Sequence, residues 1–130
     1  MATTIEQLTE KVAEIQAQLA LASHPMQDET RMSTVMGLIM HGGSIKGYAL
    51  QAIKAAREGD FEAADEFLSQ SMAEDKLAHD AQTEMLTQAA QGENVPIDIY
   101  MVHAQDHVMT GIATRELAIE MVALYRKLAD

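Results

Sequence analysis

The sequence contains no cysteine among its 130 residues. This absence excludes disulfides, iron–sulfur clusters, thiolate zinc sites and cysteine nucleophiles. Proline occurs only at positions 25 and 96, tryptophan is missing, and aromatic residues make up 4% of the chain. Because helix breakers are scarce and Ala, Gln, Glu, Leu and Met are abundant, the composition predicts an all-α protein.

Positive charge is also scarce, since 9 Lys and Arg face 20 Asp and Glu, for a net charge of −11. Nine scattered cations cannot form a basic patch. We therefore expect neither nucleic acid nor anionic membrane as a direct partner. The longest uncharged stretch, Met32 to Ile45, is too short and too rich in glycine to span a bilayer. The N-terminus has no cationic and apolar signal-peptide pattern, so we expect a soluble cytoplasmic protein.

Residues 4 to 22 are predicted to form a helix, and Thr4 with Gln7 fits a capping box at its start. Apolar residues alternate spacings of three and four, which is the narrow seam of a coiled coil. The seam consists of Ile5, Leu8, Val12, Ile15, Leu19 and Ala22. Pro25 should end this helix. We therefore divide the chain into an N-terminal helical arm and linker, residues 1–27, and a helical domain, residues 28–130. A frayed arm fits the pattern equally well.

Three further helices are predicted, from Asp28 or Glu29 to about Glu58, from Phe61 to Ala90, and from Pro96 through Leu128. Short connections make neighbouring helices antiparallel, so the domain should be an up-down-up bundle. The second and last helices are apolar on more sides than one shared core can cover, which indicates oligomerisation.

Two glycine positions carry specific expectations. Gly59 suits the residue after a helix and Asp60 suits an N-cap, so a tight helical hairpin is predicted there. Gly42-Gly43 lies inside a helix, where each Gly costs about 1 kcal/mol relative to Ala. Such a position usually marks the close approach of another group.

The last predicted helix contains the stretch Y-M-V-H-A-Q-D-H-V-M-T, from Tyr100 to Thr110. Spacings of three and four place His103, Asp106 and His107 on one face. No Lys or Arg lies three or four residues from Asp106, so its carboxylate must be solvated, metal-bound or satisfied by another helix. On this pattern alone, a functional site and the polar rim of an ordinary bundle are equally supported.

Several kinds of site are excluded by spacing. Position 104 is Ala, so the general base of an H-E-x-x-H zinc protease is missing. The stretch from His41 to Gly47 faintly resembles a histidine phosphotransfer domain of two-component signalling. However, Lys46 lies about 140° round the helix from His41 and cannot assist it. What remains is an imidazole nucleophile for phosphoryl transfer, with His107 and Gln82 as possible donors to the phosphoryl oxygens.

The string V-H-A-Q-D-H-V-M-T closely resembles the signature of the lactose/cellobiose-type enzyme IIA of the phosphoenolpyruvate-dependent sugar phosphotransferase system. Other matching stretches are Met36-Gly37-Leu38-Ile39, Gly59-Asp60-Phe61, Ala78-His79, Gln82-Thr83 and Arg115-Glu116-Leu117. The resemblance covers roughly residues 34 to 127 and leaves the arm outside. The family often has Asn-Ser-Gly where this chain has His41-Gly42-Gly43, and Asn-Glu where it has Lys76-Leu77, so the sugar and the partner surface stay open.

The resemblance implies a homotrimer of three-helix subunits packed as a nine-helix bundle. His103 would accept a phosphoryl group on Nε2 from the histidine-containing phosphocarrier protein and pass it to a cysteine of the IIB component. His107, Gln82 and His79 would support it. The cargo would be a disaccharide of the lactose/cellobiose/chitobiose class, and the membrane would be involved only through the IIC permease.

The resemblance further implies that Asp106 holds a divalent cation, with Mg²⁺ the expected ion, one per trimer on the axis. Three carboxylates about 5 Å apart would repel by roughly 3 kcal/mol per pair at an effective dielectric of about 20, so they require a cation or a proton. Two alternatives are a non-catalytic metal- or ligand-binding module built on the same polar residues, and a coiled-coil adaptor that depends on the arm.

Overall fold

The computed structural model describes residues 4–23 and 29–130, which are helical throughout apart from short connections. The helices are α1 (Ile5–Ser23), α2 (Glu29–Arg57), α3 (Phe61–Ala90) and α4 (Ile99–Ala129). The described residues contain no strand. The all-α prediction is therefore confirmed.

Two compact units divide the chain, Met1–Ser33 and Thr34–Asp130. The division falls within α2, a little beyond the boundary at residues 27 and 28 that the sequence suggested. His24 and Pro25, where we predicted the break, lie outside the described residues. In the first unit, the Thr4 N–H donates to Gln7 Oε1 at 3.0 Å and the Gln7 N–H donates to Thr4 Oγ1 at 3.3 Å. The capping box that begins α1 is therefore formed.

In the second unit, α2 and α3 run antiparallel. Ser71 is fully buried, and its hydroxyl donates to the Ile45 carbonyl oxygen at 2.8 Å. Further along, the rings of Tyr48 and Phe67 stack with their centroids 6.5 Å apart. Residue numbers rise on α2 as they fall on α3, which is the expected hairpin.

Helix α4 reverses direction again against α3. An ion pair joins Arg115 to Asp75 at 3.5 Å, and another joins Arg126 to Asp65 at 2.7 Å. The first pair is mostly buried and the second is exposed. The exposed pair adds little stability, about 0–1 kcal/mol, but both pairs show the antiparallel register. The predicted up-down-up bundle is thus confirmed within one chain.

The two connections differ in how well the sequence predicted them. Gly59 adopts φ +84°, and the Asp60 side chain accepts a hydrogen bond from the Ala63 N–H, so the hairpin forms as expected. The start of α4 was predicted wrongly at Pro96. The helix begins at Ile99, because Asp98 is the N-cap and accepts from the Met101 N–H at 2.9 Å. The side-chain cap, rather than the proline, sets the first turn.

The core has two parts along the bundle. Larger side chains fill the part near the candidate site, and small residues fill the part near Gly59. The first cluster is Val35, Leu38, Ile45, Ala78, Met101, Ala104 and Val108. The second is Ala52, Ala55, Ala56, Ala64 and Val122. The larger side chains at that end, Phe61, Phe67, Leu68 and Tyr125, are only partly buried and pack against these small residues.

Helices α2 and α4 touch through their backbones. A Cβ on Gly42 would lie 2.6 Å from the carbonyl carbon of His107 and 2.7 Å from the amide nitrogen of Val108. A Cβ on Gly111 would lie 2.6 Å from the carbonyl oxygen of Gly42. At Gly43 the nearest atom would be His107 Nδ1 at 3.9 Å, an ordinary contact. The predicted close approach therefore occurs at Gly42 and not at Gly43.

We predict that Gly42→Ala lowers the free energy of unfolding by about 1–3 kcal/mol, because the added methyl group meets backbone that cannot move aside. Gly47→Ala is the matched control, since nothing lies within 4 Å of a Cβ there. It should raise stability by about 1 kcal/mol through helix propensity. Urea denaturation at one fixed protein concentration measures both. Equal effects of the two substitutions would show that the backbone contact is not tight.

Candidate functional site

Two histidine rings on α4 form the centre of the candidate site. His103 Nε2 lies 3.1 Å from His107 Nε2, and the ring planes meet at 69° with centroids 4.5 Å apart. At this distance one nitrogen carries the proton and the other accepts through its lone pair. The i, i+4 spacing in the sequence predicted that the rings would share a face, and the structure brings them into hydrogen-bonding contact.

The backbone contact with α2 positions this pair. The carbonyl carbon of His107 packs against Gly42, so the turn of α4 that carries His107 cannot approach or rotate freely. His107 is half-buried, whereas His103 is exposed. The arrangement therefore consists of one held imidazole next to one that a partner can reach.

Asp106 lies one helical turn from His103, on the same cleft. It lines an open cleft of about 370 Å³ together with His103, Ile99, Tyr100 and Val102. In the parts of the chain that the structure describes, no group of three His, Cys, Asp or Glu residues could hold a metal ion. One chain thus offers a single carboxylate at this place, and a cation bound to it would need further ligands from outside the chain.

Gln82 and His79 lie elsewhere in the single chain. The Gln82 amide donates to Gln105 Oε1 and contacts the Met109 sulfur at 3.6 Å. Gln105 and Met109 lie about 200° and 240° round α4 from His103, so Gln82 packs against the far side of that helix. His79 lines a separate cleft whose other members are Met72, Asp75, Lys76 and Ile112. One chain alone does not bring either residue to His103, and their supporting role stays a prediction.

His41 has a structural partner that the sequence did not reveal. Its Nδ1 lies 2.5 Å from Glu74 Oε2, which links α2 to α3. Lys46, five residues further on, is exposed. An imidazole engaged with a carboxylate, without a lysine on its own face, gives no support to phosphotransfer at His41. His41 meets Glu74 because of the way α2 and α3 are aligned against each other, and this alignment could not be predicted from the sequence.

An apolar rim beside His103 was not predicted from the sequence. Ile99, Tyr100 and Val102 are 74%, 48% and 44% exposed. Their positions, one to four residues before His103, could have indicated an apolar rim next to a reactive ring. Exposed apolar side chains grouped in this way often mark an interaction surface.

The family model for the lactose/cellobiose-specific IIA subunit of the phosphotransferase system (PTS) matches residues 33–126. The chain belongs to this family. The match contains the two histidines, Asp106 and the Gly42 contact, and it leaves α1 outside.

Relatives and solved structures agree with this assignment. The chain is 46% identical over 105 residues to the PTS galactose-specific EIIA component of Lactococcus lactis subsp. cremoris, covering 81% of this chain and 90% of the relative. It is 39% identical over 94 residues to the N,N'-diacetylchitobiose-specific EIIA component of Escherichia coli K12, covering 72% and 81%.

Among solved structures, the cellobiose-specific enzyme IIA from Bacillus anthracis matches with a TM-score of 0.74 at 35% identity, covering 77% of this chain and 92% of that one. The IIA(Chitobiose)–HPr complex of the Escherichia coli phosphotransferase system matches with a TM-score of 0.66 at 37% identity, covering 77% and 97%.

Membership of the enzyme IIA family establishes the general activity of the chain. EIIA components are phosphotransferase proteins, and this chain is a sugar-specific IIA component of the lactose/cellobiose/chitobiose class. No helix in residues 4–23 or 29–130 is long and apolar enough to cross a membrane.

Proposed function

We propose that this enzyme IIA accepts a phosphoryl group on His103 Nε2 from the histidine-containing phosphocarrier protein and passes it to a cysteine of the IIB component. The observation that carries the proposal is the 3.1 Å contact between the Nε2 atoms of His103 and His107, with His103 exposed. A held imidazole beside an accessible one supplies a nucleophile together with its nearest donor.

In the first transfer, the His107 Nε2–H donates to His103 Nε2, so His103 keeps its own proton on Nδ1. As the carrier's phosphohistidine approaches, the His107 N–H turns from this lone pair to a phosphoryl oxygen, where a hydrogen bond to an anion is stronger than the neutral one it replaces. The freed Nε2 lone pair attacks the phosphorus. An N–P bond forms on His103 while the carrier's N–P bond breaks, and the leaving imidazole keeps that electron pair.

In the second transfer, a thiolate of the IIB component attacks the same phosphorus. An S–P bond forms, the N–P bond breaks, and the electron pair returns to His103 Nε2. The sequence has no cysteine, so the thiolate belongs to another protein. One accessible ring thus serves both transfers in turn.

The surface around His103 suits protein partners. Ile99, Tyr100 and Val102 form an apolar rim next to the ring. The net charge of −11 favours partners that present apolar or basic groups there. The similar fold of an IIA in complex with HPr supports the carrier protein as the phosphoryl donor. We therefore assign the chain to the cytoplasm, where it would contact the IIC permease only through IIB.

The sugar is proposed only as a class. Relatives named for galactose and for cellobiose are 46% and 45% identical to this chain, so identity does not choose between them. Others are named for lichenan, N,N'-diacetylchitobiose and lactose. The phosphoryl carrier itself does not bind the sugar in the proposed pathway, so its sequence does not name one sugar. We therefore assign only a class, uptake of a disaccharide of the lactose/cellobiose/chitobiose class.

The outward side of α4 supports a homotrimer. It carries a row of apolar side chains that are 44–74% exposed in the single chain, namely Ile99, Val102, Met109, Leu117, Leu124 and Leu128. They fall within a sector about 100° wide, and Asp106 lies in its middle. Three copies packed through this sector would form a nine-helix bundle with His103 at the edge of each interface. Gln82 and His79 could then reach a neighbouring copy's His103.

A divalent cation, with Mg²⁺ the expected ion, fits the same assembly. Asp106 supplies carboxylate oxygen, the donor that Mg²⁺ and Ca²⁺ prefer, and α4 has no cation within one turn of it. Three copies would contribute one Asp106 each to one ion. Its role would be structural, because it neutralises carboxylates that an apolar interface would otherwise enclose without a counter-charge.

We predict that the purified protein, incubated with the phosphoenolpyruvate phosphorelay, incorporates acid-labile phosphate on His103 alone. His103→Gln should abolish incorporation, whereas His107→Gln should slow it by roughly 10²-fold at most, since one donor is altered and the nucleophile remains. His24→Gln, which lies outside the family match, serves as the control histidine. Stable incorporation into the His103→Gln protein would overturn the assignment, and failure of the unmodified protein to accept any phosphate would favour a non-catalytic binding module.

For the metal, we expect a chelator to lower the thermal midpoint of the unmodified protein at neutral pH. Asp106→Leu should stay trimeric and lose this response, because an apolar group can replace a buried charge at little cost or with a gain in stability. Asp80→Leu, which removes an exposed carboxylate from α3, should respond to chelator like the unmodified protein. Sedimentation and melting curves decide the matter. A well-folded monomer of Asp106→Leu would show that the carboxylate does something other than hold a shared cation.

Deleting residues 1–26 should leave phosphoryl acceptance unchanged, because the family match and every proposed site residue lie beyond that segment. The rate of phosphate incorporation into the shortened protein measures this directly. A truncated protein that is trimeric yet cannot accept phosphate would assign the arm a part in the transfer itself.

A further inference from the structure

Helix α1 is the feature that the proposed function leaves unused. It lies outside the family match, yet it is a continuous helix of 19 residues with a closed capping box. Its apolar seam is exposed throughout, with Ile5 at 84%, Leu8 and Val12 at 52%, Ile15 at 58% and Leu19 at 68%. An isolated helix of this length is marginal in water, so it needs a partner for its apolar side.

The shape of the seam selects the kind of partner. The five side chains fall within a sector about 80° wide, narrower than the face that a helix presents to a globular core. They alternate spacings of three and four, so Ile5, Val12 and Leu19 take the a positions of a heptad and Leu8 and Ile15 take the d positions. A second helix with the same pattern is the natural complement.

Charge identifies that helix as another copy of α1. The positions that flank the seam are Thr4, Thr9, Lys11, Gln16 and Gln18. None is acidic, although the chain as a whole carries a net charge of −11. The acids Glu6, Glu10 and Glu14 all lie on the outer positions, away from the seam. Two copies can therefore meet without facing carboxylates, and in a parallel pair Lys11 lies opposite Gln16.

We propose that the α1 helices of different copies associate in parallel through this seam and form a coiled coil. The parallel direction follows from the three-fold symmetry of the proposed trimer, because a three-fold axis places equivalent residues of the associating helices at equal heights. The number of helices in the coil rests on the proposed trimer, while the pairing of the seams does not. The mixture of Ile, Val and Leu at the a and d positions does not choose a number by itself.

The absence of cysteine makes a clean cross-linking test possible in the full chain. Leu19→Cys places a thiol in the seam, and Ala17→Cys places one on the outer face less than one turn away. Under mild oxidation we expect covalent dimers to form at least tenfold faster from Leu19→Cys. Arms that are merely tethered to one assembly would share the same effective concentration, and the two variants would then cross-link equally.

Each result has a definite meaning. Equal rates for Leu19→Cys and Ala17→Cys, with α1 still helical by circular dichroism, would overturn the proposal. Cross-links that appear only in the double variant Ile5→Cys/Leu19→Cys would overturn the parallel direction. Leu8→Cys provides a second seam position should Leu19→Cys disturb the helix.

Sedimentation and phosphate incorporation on the same samples separate this proposal from the proposed function. A trimer that accepts phosphate but shows no seam-specific cross-link contradicts the coiled coil alone. Seam-specific cross-links in a protein that accepts no phosphate contradict the phosphoryl carrier and support the coiled coil.

Discussion

The contact between the backbones of α2 and α4 is the constraint on which the site depends. Gly42 and Gly111 leave no room for a side chain between the two helices, so their separation and rotation are fixed at one level of the bundle. That level is the turn of α4 that carries His107. His103 lies one turn from His107 and contacts its ring. The α2–α4 backbone contact therefore also positions the accessible His103 ring, although His103 does not take part in that contact.

The different sides of helix α4 make different contacts. One side supplies Met101, Ala104 and Val108 to the core, and the flank next to α3 receives Gln82. The remaining side carries the exposed apolar row with Asp106 in its middle. The histidine pair lies at the boundary between the flank that packs on α2 and this outward side. An imidazole at such a boundary can be rigidly supported and still be reached by another protein.

Much of this arrangement could be predicted from local sequence. Helix spacing predicts that His103 and His107 share a face, and turn chemistry predicts the Gly59–Asp60 hairpin. What could not be predicted depends on how one helix is rotated against its neighbour. Gln82 was expected beside His103, but within one chain α3 meets α4 about 200° away, at Gln105.

The same limit applies to two finer details. His41 pairs with Glu74 only because α2 and α3 adopt one of several possible registers. The start of α4 depended on a competition between two local signals, Pro96 and Asp98. The capping carboxylate prevailed because it satisfies an amide that would otherwise lack a partner at the helix end.

The chemistry around His103 suits the proposed acceptance and donation of a phosphoryl group better than its storage. Between Ile99 and Thr114, α4 carries neither Lys nor Arg, and Asp106 is the only charged residue in that stretch. A phosphoryl group on His103 would thus find a neutral donor in His107 and a nearby carboxylate, but no Lys or Arg on this stretch of the helix. A strong cationic clamp would stabilise the bound phosphoryl group and slow its departure. A carrier instead gains from a site that holds the group in place and lets the next nucleophile remove it.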